Sequence, residues 1–124
     1  IEHSELARLT QIDYAREMAF IATETDAQGR QATLGVVRAV ADPDNQDAEF
    51  AIVVRSDLKG GGLGEVLMNK IIRYQRGQGT QRLTAVVLRE NARMLELAAD
   101  LGFVRETTAQ ASDTVTLALP LQAP

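Results

Sequence analysis

The feature that most constrains this chain is Lys59-Gly60-Gly61-Gly62-Leu63-Gly64. It follows the apolar run Ala48 to Arg55 and leads into a helical pattern with Leu63, Val66, Leu67, Ile71 and Tyr74 on one face. A strand, a glycine turn and a helix in that order place free backbone amides at the head of the helix. Glycine permits the sharp turn and the close approach of backbone to a ligand. The first amides of a helix have no internal partner and sit at the positive end of its dipole. Such a turn can hold a phosphate or pyrophosphate without basic side chains. The same composition also suits a plain surface turn, so the spacing has to decide.

Two phosphate-binding spacings fail. A Walker loop ends in Gly-Lys-Ser/Thr, but Gly64 is followed by Glu65 and Val66. A dinucleotide fingerprint needs a third glycine three residues after the second. Counted from Gly60 and Gly62 that place is Glu65, and from Gly62 and Gly64 it is Leu67. A third spacing, Gln/Arg-x-x-Gly-x-Gly/Ala, is filled by Lys59, Gly62 and Gly64, with Lys at the first place.

Around the loop, Leu6, Leu9, Ile12 and Ala15 stand at helical spacing and predict a helix over 2–15. Met18 to Thr23, Thr33 to Ala41 and Ala48 to Arg55 predict an antiparallel meander, with turn signals at Gly29 and at Asp42-Pro43-Asp44-Asn45. Gly77 and Gly79 end the helix after the loop. Arg82 to Leu88 predicts a strand parallel to Ala48–Arg55 and buried on both faces. Asn91 opens a second helix, with Leu95, Ala98 and Leu101 inward and Gly102 as its stop. Phe103 to Thr107 and Thr114 to Leu119 predict a closing hairpin. Met18, Met68 and Met94 fit as core fillers. The order predicts one α/β domain over residues 1–124, a mixed and largely antiparallel sheet flanked by helices.

Bulk properties remove several function classes. The 124 residues suffice for one core, and 45% hydrophobic with 24% charged residues is globular composition. A net charge of -4 with no basic stripe argues against nucleic acid. The apolar runs are too short to span a bilayer, so no membrane partner is expected. The absence of cysteine excludes disulfides and thiol catalysis. His3, the one histidine, lies near a terminus and reads as solvated, and no metal is expected. The composition suits a cytoplasmic protein. Ile1 stands first instead of Met, which suggests a piece of a longer protein.

Over nearly its whole length the chain resembles the GNAT superfamily of acetyltransferases. The resemblance rests on Ala48–Arg55, the glycine loop and its helix, Arg82–Leu88, Asn91-Ala92-Arg93-Met94-Leu95 and Leu101-Gly102-Phe103. It implies the GNAT fold and acetyl-CoA as co-substrate. It implies that the backbone of Ile52, Val53 and Val54 pairs with the pantetheine arm. Lys59, Gly60, Gly61, Gly62, Leu63, Gly64 and Glu65 would hold the pyrophosphate. Asn91 would lie by the pantetheine where two strands splay apart, although its position also suits a plain helix cap.

A closer likeness, carried by Leu9-Thr10-Gln11-Ile12-Asp13-Tyr14, Arg16-Glu17-Met18-Ala19 and Ala48-Glu49-Phe50-Ala51, is to bacterial protein-lysine acetyltransferases. In these the domain is often fused to an acyl-CoA-synthetase-like region. The acceptor there is a lysine of an acyl-CoA synthetase. No first strand is evident before Glu2, and by this likeness it would lie upstream.

A protonated lysine is no nucleophile, so a base has to take a proton. The candidate is Glu49, a carboxylate at the start of Phe50-Ala51-Ile52-Val53-Val54. Partial burial there would tune a carboxylate for base work, and the plain alternative is a solvent-facing strand residue, since antiparallel sheets often expose one face. The resemblance implies the same role for a glutamate in the matching strand. The amide near Val54 is the candidate oxyanion donor. Many family members carry a tyrosine acid where this chain has Ala98. The thiolate would then leave without that acid, or another group would serve. Tyr74 fits helix packing, and Tyr14 is left open. Arg73, Arg76 and Arg82 could reach the adenosine phosphate, and the plainer reading is solvated surface charge. Two other readings stand beside the enzyme: a CoA-binding sensor that has lost its chemistry, and an acetyltransferase for small-molecule amines.

Overall fold

The computed structural model describes residues 7–58, 60–106 and 113–123. Seven strands form one sheet in the order β1-β2-β3-β4-β5-β7-β6. The strands are β1 Ala7–Tyr14, β2 Glu17–Thr25, β3 Gln31–Ala41, β4 Asp47–Val54, β5 Arg82–Leu88, β6 Val104–Glu106 and β7 Thr114–Pro120. Helix α1 is Leu63–Gly77 and helix α2 is Ala92–Leu101. Only β4 and β5 run parallel, joined by the α1 crossover, and every other pair is antiparallel. The mixed, largely antiparallel sheet flanked by helices agrees with expectation.

The start of the chain does not. Ala7–Tyr14 is a strand where the spacing predicts a helix, so a strand opens the sheet within the chain. Leu9 and Ile12, three residues apart, would share one face of a helix but fall on opposite faces of the strand. The tight turn at Ala15 and Arg16 folds Tyr14 back onto Glu17 and commits the segment to pairing with β2. Long-range ladder formation overrides a local pattern of three apolar residues. Glu2, His3 and Leu6 lie outside the described residues.

Both helices lie on one face. Leu67, Met68 and Ile71 of α1 are fully buried with Met18, Val37 and Leu83 of the sheet. Gly35 makes room for the helix, since a Cβ there would stand 3.0 Å from Leu67 Cδ1 and 3.1 Å from the Val53 carbonyl oxygen. From α2, Met94 and Ala98 enter the same core, and Phe103 tilts onto Phe50 with ring centroids 5.4 Å apart. All three methionines expected in the core are buried. Val66, expected inward, is exposed, and Met68, Ile72 and Gln75 take the inner positions.

The opposite face is bare among the described residues. Register puts Val40, Val53, Val86, Leu88 and Val104 on it, and Val53 is 71% exposed and Val86 57%. The burial of β5 on both faces is therefore corrected. Only Leu83, Ala85 and Val87 are covered, because no described helix lies over the other side.

The closed end of the β4–β5 pair is tied firmly. Asn45, at φ 56 in the turn before β4, donates from Nδ2 to the Gln78 carbonyl at 2.9 Å. Buried Thr80 donates to Asn45 Oδ1 at 2.7 Å and accepts from Gln75 Nε2 at 2.8 Å. These bonds satisfy buried polar groups that would otherwise be costly. Arg82 chelates Asp47 with two bonds of 3.0 Å and reaches Glu106 Oε2 at 2.8 Å. The Asp47 carboxyl is held below the usual carboxylate range, chiefly by the Arg82 hydrogen bonds.

Candidate active site

The β4–β5 ladder contains three rungs, Asp47–Arg82, Ala48–Leu83 and Glu49–Thr84. Both strands continue past the last rung, β4 to Val54 and β5 to Leu88. The strands thus splay from a stapled end toward the glycine loop.

The direction of the unpaired groups follows from alternation. Asp42 N donates to the Asp47 carbonyl and Arg55 N to the Leu34 carbonyl, so odd-numbered residues of β4 turn their peptide groups to β3. Even-numbered residues turn theirs to β5, as Gln46 does in accepting from Arg82 N. Past the last rung, the N–H and C=O of Ile52 and Val54 point into the splay with no strand opposite. Val53 belongs to the β3 ladder through Val36. Of the three residues expected to pair with a pantetheine arm, two offer the backbone to do it. Val53 lines the space by position.

Beyond β4 the chain makes one turn of 3-10 helix, Ser56–Leu58, and enters the loop. Gly60 and Gly62 both have φ 91, a left-handed conformation that L side chains rarely adopt. Gly62 is the N-cap of α1 and no side chain caps the helix. Gly61 N donates to the Leu58 carbonyl and Val66 N to the Gly62 carbonyl. The amides of Leu63, Gly64 and Glu65 are left at the positive end of a 15-residue helix. Gly64 lets this helix head approach α2, since a Cβ would sit 3.3 Å from Leu97 Cδ2.

These parts surround a cavity of about 450 Å³. Ile52, Val53 and Val54 form one side, Gly60, Gly62, Gly64 and Glu65 a second, and α2 with Asn91 at its head a third. Gly61 is exposed in the same turn. Leu63 contributes its amide alone, because its side chain is buried beneath Gly35. Lys59 lies outside the described residues. Asn91 is the N-cap of α2, its Oδ1 accepting from Met94 N at 3.1 Å, and it also borders the cavity.

Glu49 stands apart. It occupies the last rung, between Val40 on β3 and Thr84 on β5, with its side chain on the bare face. It is exposed, so the partial burial expected of it is not found. The reason is the same missing cover that leaves Val53 and Val86 open. Ala98 is fully buried in the core, and Tyr74 meets Phe20 edge-on at 6.4 Å, in keeping with helix packing. Tyr14 lies on β1, separated from β4 by β2 and β3. Arg76 donates to the Leu121 carbonyl at 2.9 Å, Arg82 is held by its two carboxylates, and Arg73 is exposed on α1.

Sequence reasoning missed Arg93. It borders the cavity, and its Nη1 lies 3.4 Å from where a Gly60 Cβ would be. The signal available was its place two residues after the cap Asn91, in the first turn of the helix that faces the loop.

Comparison with known proteins agrees with this architecture. The family described as "Acetyltransferase (GNAT) family" matches residues 2–103. The acetyltransferase PA5475 of Pseudomonas aeruginosa is 33% identical over 99 residues, covering 80% of this chain and 53% of that protein. The chain thus spans about half the length of this curated relative. A domain from Methanocaldococcus jannaschii superposes with a TM-score of 0.72 at 16% identity, covering 88% of this chain and 70% of that one. A spermidine N-acetyltransferase from Vibrio cholerae, solved with CoA and spermine, superposes at 0.69 with 21% identity, covering 86% and 67%. At such identities these structures establish a shared fold.

Proposed function

The chain belongs to the acetyltransferase (GNAT) family, and on that premise we propose that it transfers an acetyl group from acetyl-CoA to a primary amine, a protein lysine side chain in the reading we favour. The observation that carries the proposal is the splay itself. Unpaired peptide groups of Ile52 and Val54 stand beside the bare amide head of α1, around one cavity. That is a surface for a linear amide chain ending in a diphosphate. The amides of a pantetheine arm extend the β4 edge as a strand would, and the diphosphate meets the amides of Leu63, Gly64 and Glu65.

The chemistry runs through the splay. The thioester lies between β4 and β5, and the acceptor approaches from the bare face, where Glu49 stands. Glu49 takes a proton from the ammonium, directly or through water, and the amine lone pair attacks the thioester carbon. The Val54 amide, directed into the splay, donates to the oxyanion that forms. The intermediate collapses, the C–S bond breaks and CoA leaves as the thiolate, and the second amine proton passes from the nitrogen to that thiolate through water, giving the neutral amide and CoA thiol. A thiol whose ordinary pKa is about 8.5 is a tolerable leaving group without a tyrosine acid. The site belongs to direct transfer, since no cysteine exists in the chain to carry an acetyl intermediate.

The lysine acceptor, a fusion to an acyl-CoA-synthetase-like region and a cytoplasmic setting are all proposed on the likeness to bacterial protein-lysine acetyltransferases. An open sheet face with exposed valines suits a protein surface carrying the lysine. A second reading, a small polyamine, is favoured by the spermidine N-acetyltransferases of the same fold. The test is CoA release with acetyl-CoA and either an acyl-CoA-synthetase substrate or spermidine. The proposal predicts acetyl-lysine by mass spectrometry in the protein substrate. Turnover with spermidine alone would replace the acceptor, and CoA release with neither amine would leave a CoA-binding sensor.

A further inference from the structure

We propose that Arg93 is a phosphate-binding residue of this cavity, the side-chain cation that completes the backbone site for the CoA moiety. The inference rests on the acetyl-CoA reading and names a residue that reading does not use. Three observations carry it. First, the guanidinium lies over the glycine turn, with Nη1 3.4 Å from the position a Gly60 Cβ would take. A Cβ at residue 60 would come into ordinary contact with the guanidinium, and it is the φ of 91 that calls for glycine there. Second, among the described residues bordering the cavity Arg93 is the one cation, and it shares that lining with the carboxylates Glu65, Glu96 and Asp100. A polyanion entering without Arg93 would meet negative charge on two walls. Third, Arg30, Arg38, Arg55 and Arg82 all hold carboxylates within 4.0 Å, while Arg93 makes no ion pair among the described residues. Glu96 lies one turn along the same helix, a spacing at which pairs readily form. The guanidinium is nevertheless kept over the loop, its five donors available to a bidentate phosphate contact.

The test is calorimetric titration of wild type, Arg93→Ala and Arg93→Lys with CoA and with 3′-dephospho-CoA. It is paired with turnover using S-acetyl-pantetheine, which has neither a diphosphate nor a ribose phosphate. Alanine is the best helix former, so α2 should survive the change, and circular dichroism checks it. Arg93→Ala should weaken CoA by about 10–100-fold, the worth of a charge-assisted contact. Lysine should recover part of the loss, and kcat/KM for S-acetyl-pantetheine should match wild type. A loss that vanishes with dephospho-CoA places Arg93 on the ribose phosphate, and one that persists places it on the diphosphate. Either supports the proposal. Undiminished CoA affinity in folded Arg93→Ala overturns it, as does an equal defect with S-acetyl-pantetheine. Failure of wild type to bind CoA overturns the acetyl-CoA reading first, and this one with it.

Discussion

On the helix side of the sheet, Val37, Phe50 and Leu83 are sealed beneath α1 and α2, and the cavity opens where the two helix heads meet β4. On the other side Val40, Val53 and Val86 lie open, and Glu49 stands among them. The two sides use the same strand in different ways. Even-numbered β4 residues bury their side chains toward the helices and send peptide groups into the splay. Odd-numbered residues give their peptide groups to β3 and show their side chains on the bare face. The binding proposed for the first side is therefore chiefly backbone work, intolerant of anything that blocks approach. The proposed chemistry on the second side rests on a single side chain, Glu49, which can be altered without touching the proposed binding surface.

Substitutions that separate the sides should separate affinity from turnover. Glu49→Gln keeps size and removes the proton acceptor. Turnover at neutral pH should fall by roughly 10²–10⁴, the usual worth of a general base, while acetyl-CoA affinity stays within a few-fold. The defect should shrink as pH rises toward about 10.4, where free lysine amine becomes abundant. Near-normal turnover at neutral pH would remove Glu49 from the chemistry, and an equal defect at every pH would make it a positioning group. Gly64→Asp acts on the opposite side. A carboxylate in the first turn suits the helix dipole, and Leu97 Cδ2 is a side-chain end that can yield. It repels a diphosphate at close range, so affinity should drop by roughly 100-fold or more with the fold intact. Unchanged affinity by calorimetry would take the diphosphate off the loop.

Asp47→Asn tests the staple at the closed end of the splay. Asp47 is held below the ordinary carboxylate range in the folded protein. Its stabilisation is thus complete above the unfolded value of about 3.9 and is lost as pH falls through the lower folded value. The Arg82 and Asp47 side chains are 39% and 40% exposed, so solvent screens the pair and the loss at neutral pH should be at most about 1 kcal/mol. Urea melts should show that loss above pH ~4 and convergence with wild type well below it. A gap that persists at low pH would indicate altered packing. The smallest effect is expected from Val53→Thr, which changes a bare-face side chain of similar size. CoA affinity should move by less than about twofold, and a larger change would mean that the side chain of Val53, beyond its position, contacts the cofactor.

Much of this division was legible in the residues. The run Lys59 to Gly64 between a strand and a helix suited either a backbone anion site or a plain surface turn, and Asn91 marked the head of α2. Strand β5 was read to its ends, because β-branched residues and flanking turns mark them. What escaped was set by tertiary context. Leu9 and Ile12 follow a helical period, and pairing with β2 overrode it. The exposure of Glu49 and Val86 depends on what covers the sheet, which no local pattern encodes. The parity that assigns Ile52 and Val54 to the splay and Val53 to β3 depends on register, visible once Arg55 is bonded to Leu34. Arg93 was hidden because a basic residue in a helix usually faces solvent, and only the loop across from it gives the charge a use.

That parity also supplies the most direct test of how the cofactor is held. Amide hydrogen exchange followed residue by residue, with and without saturating CoA, reads the backbone itself. CoA should slow exchange at Ile52, Val54, Leu63, Gly64 and Glu65, whose amides have no backbone partner among the described residues. Val53, already bonded to β3, should exchange slowly in both states. Protection gained at Val53 but absent from Ile52, Val54 and the head of α1 would contradict a cofactor held by the splayed backbone.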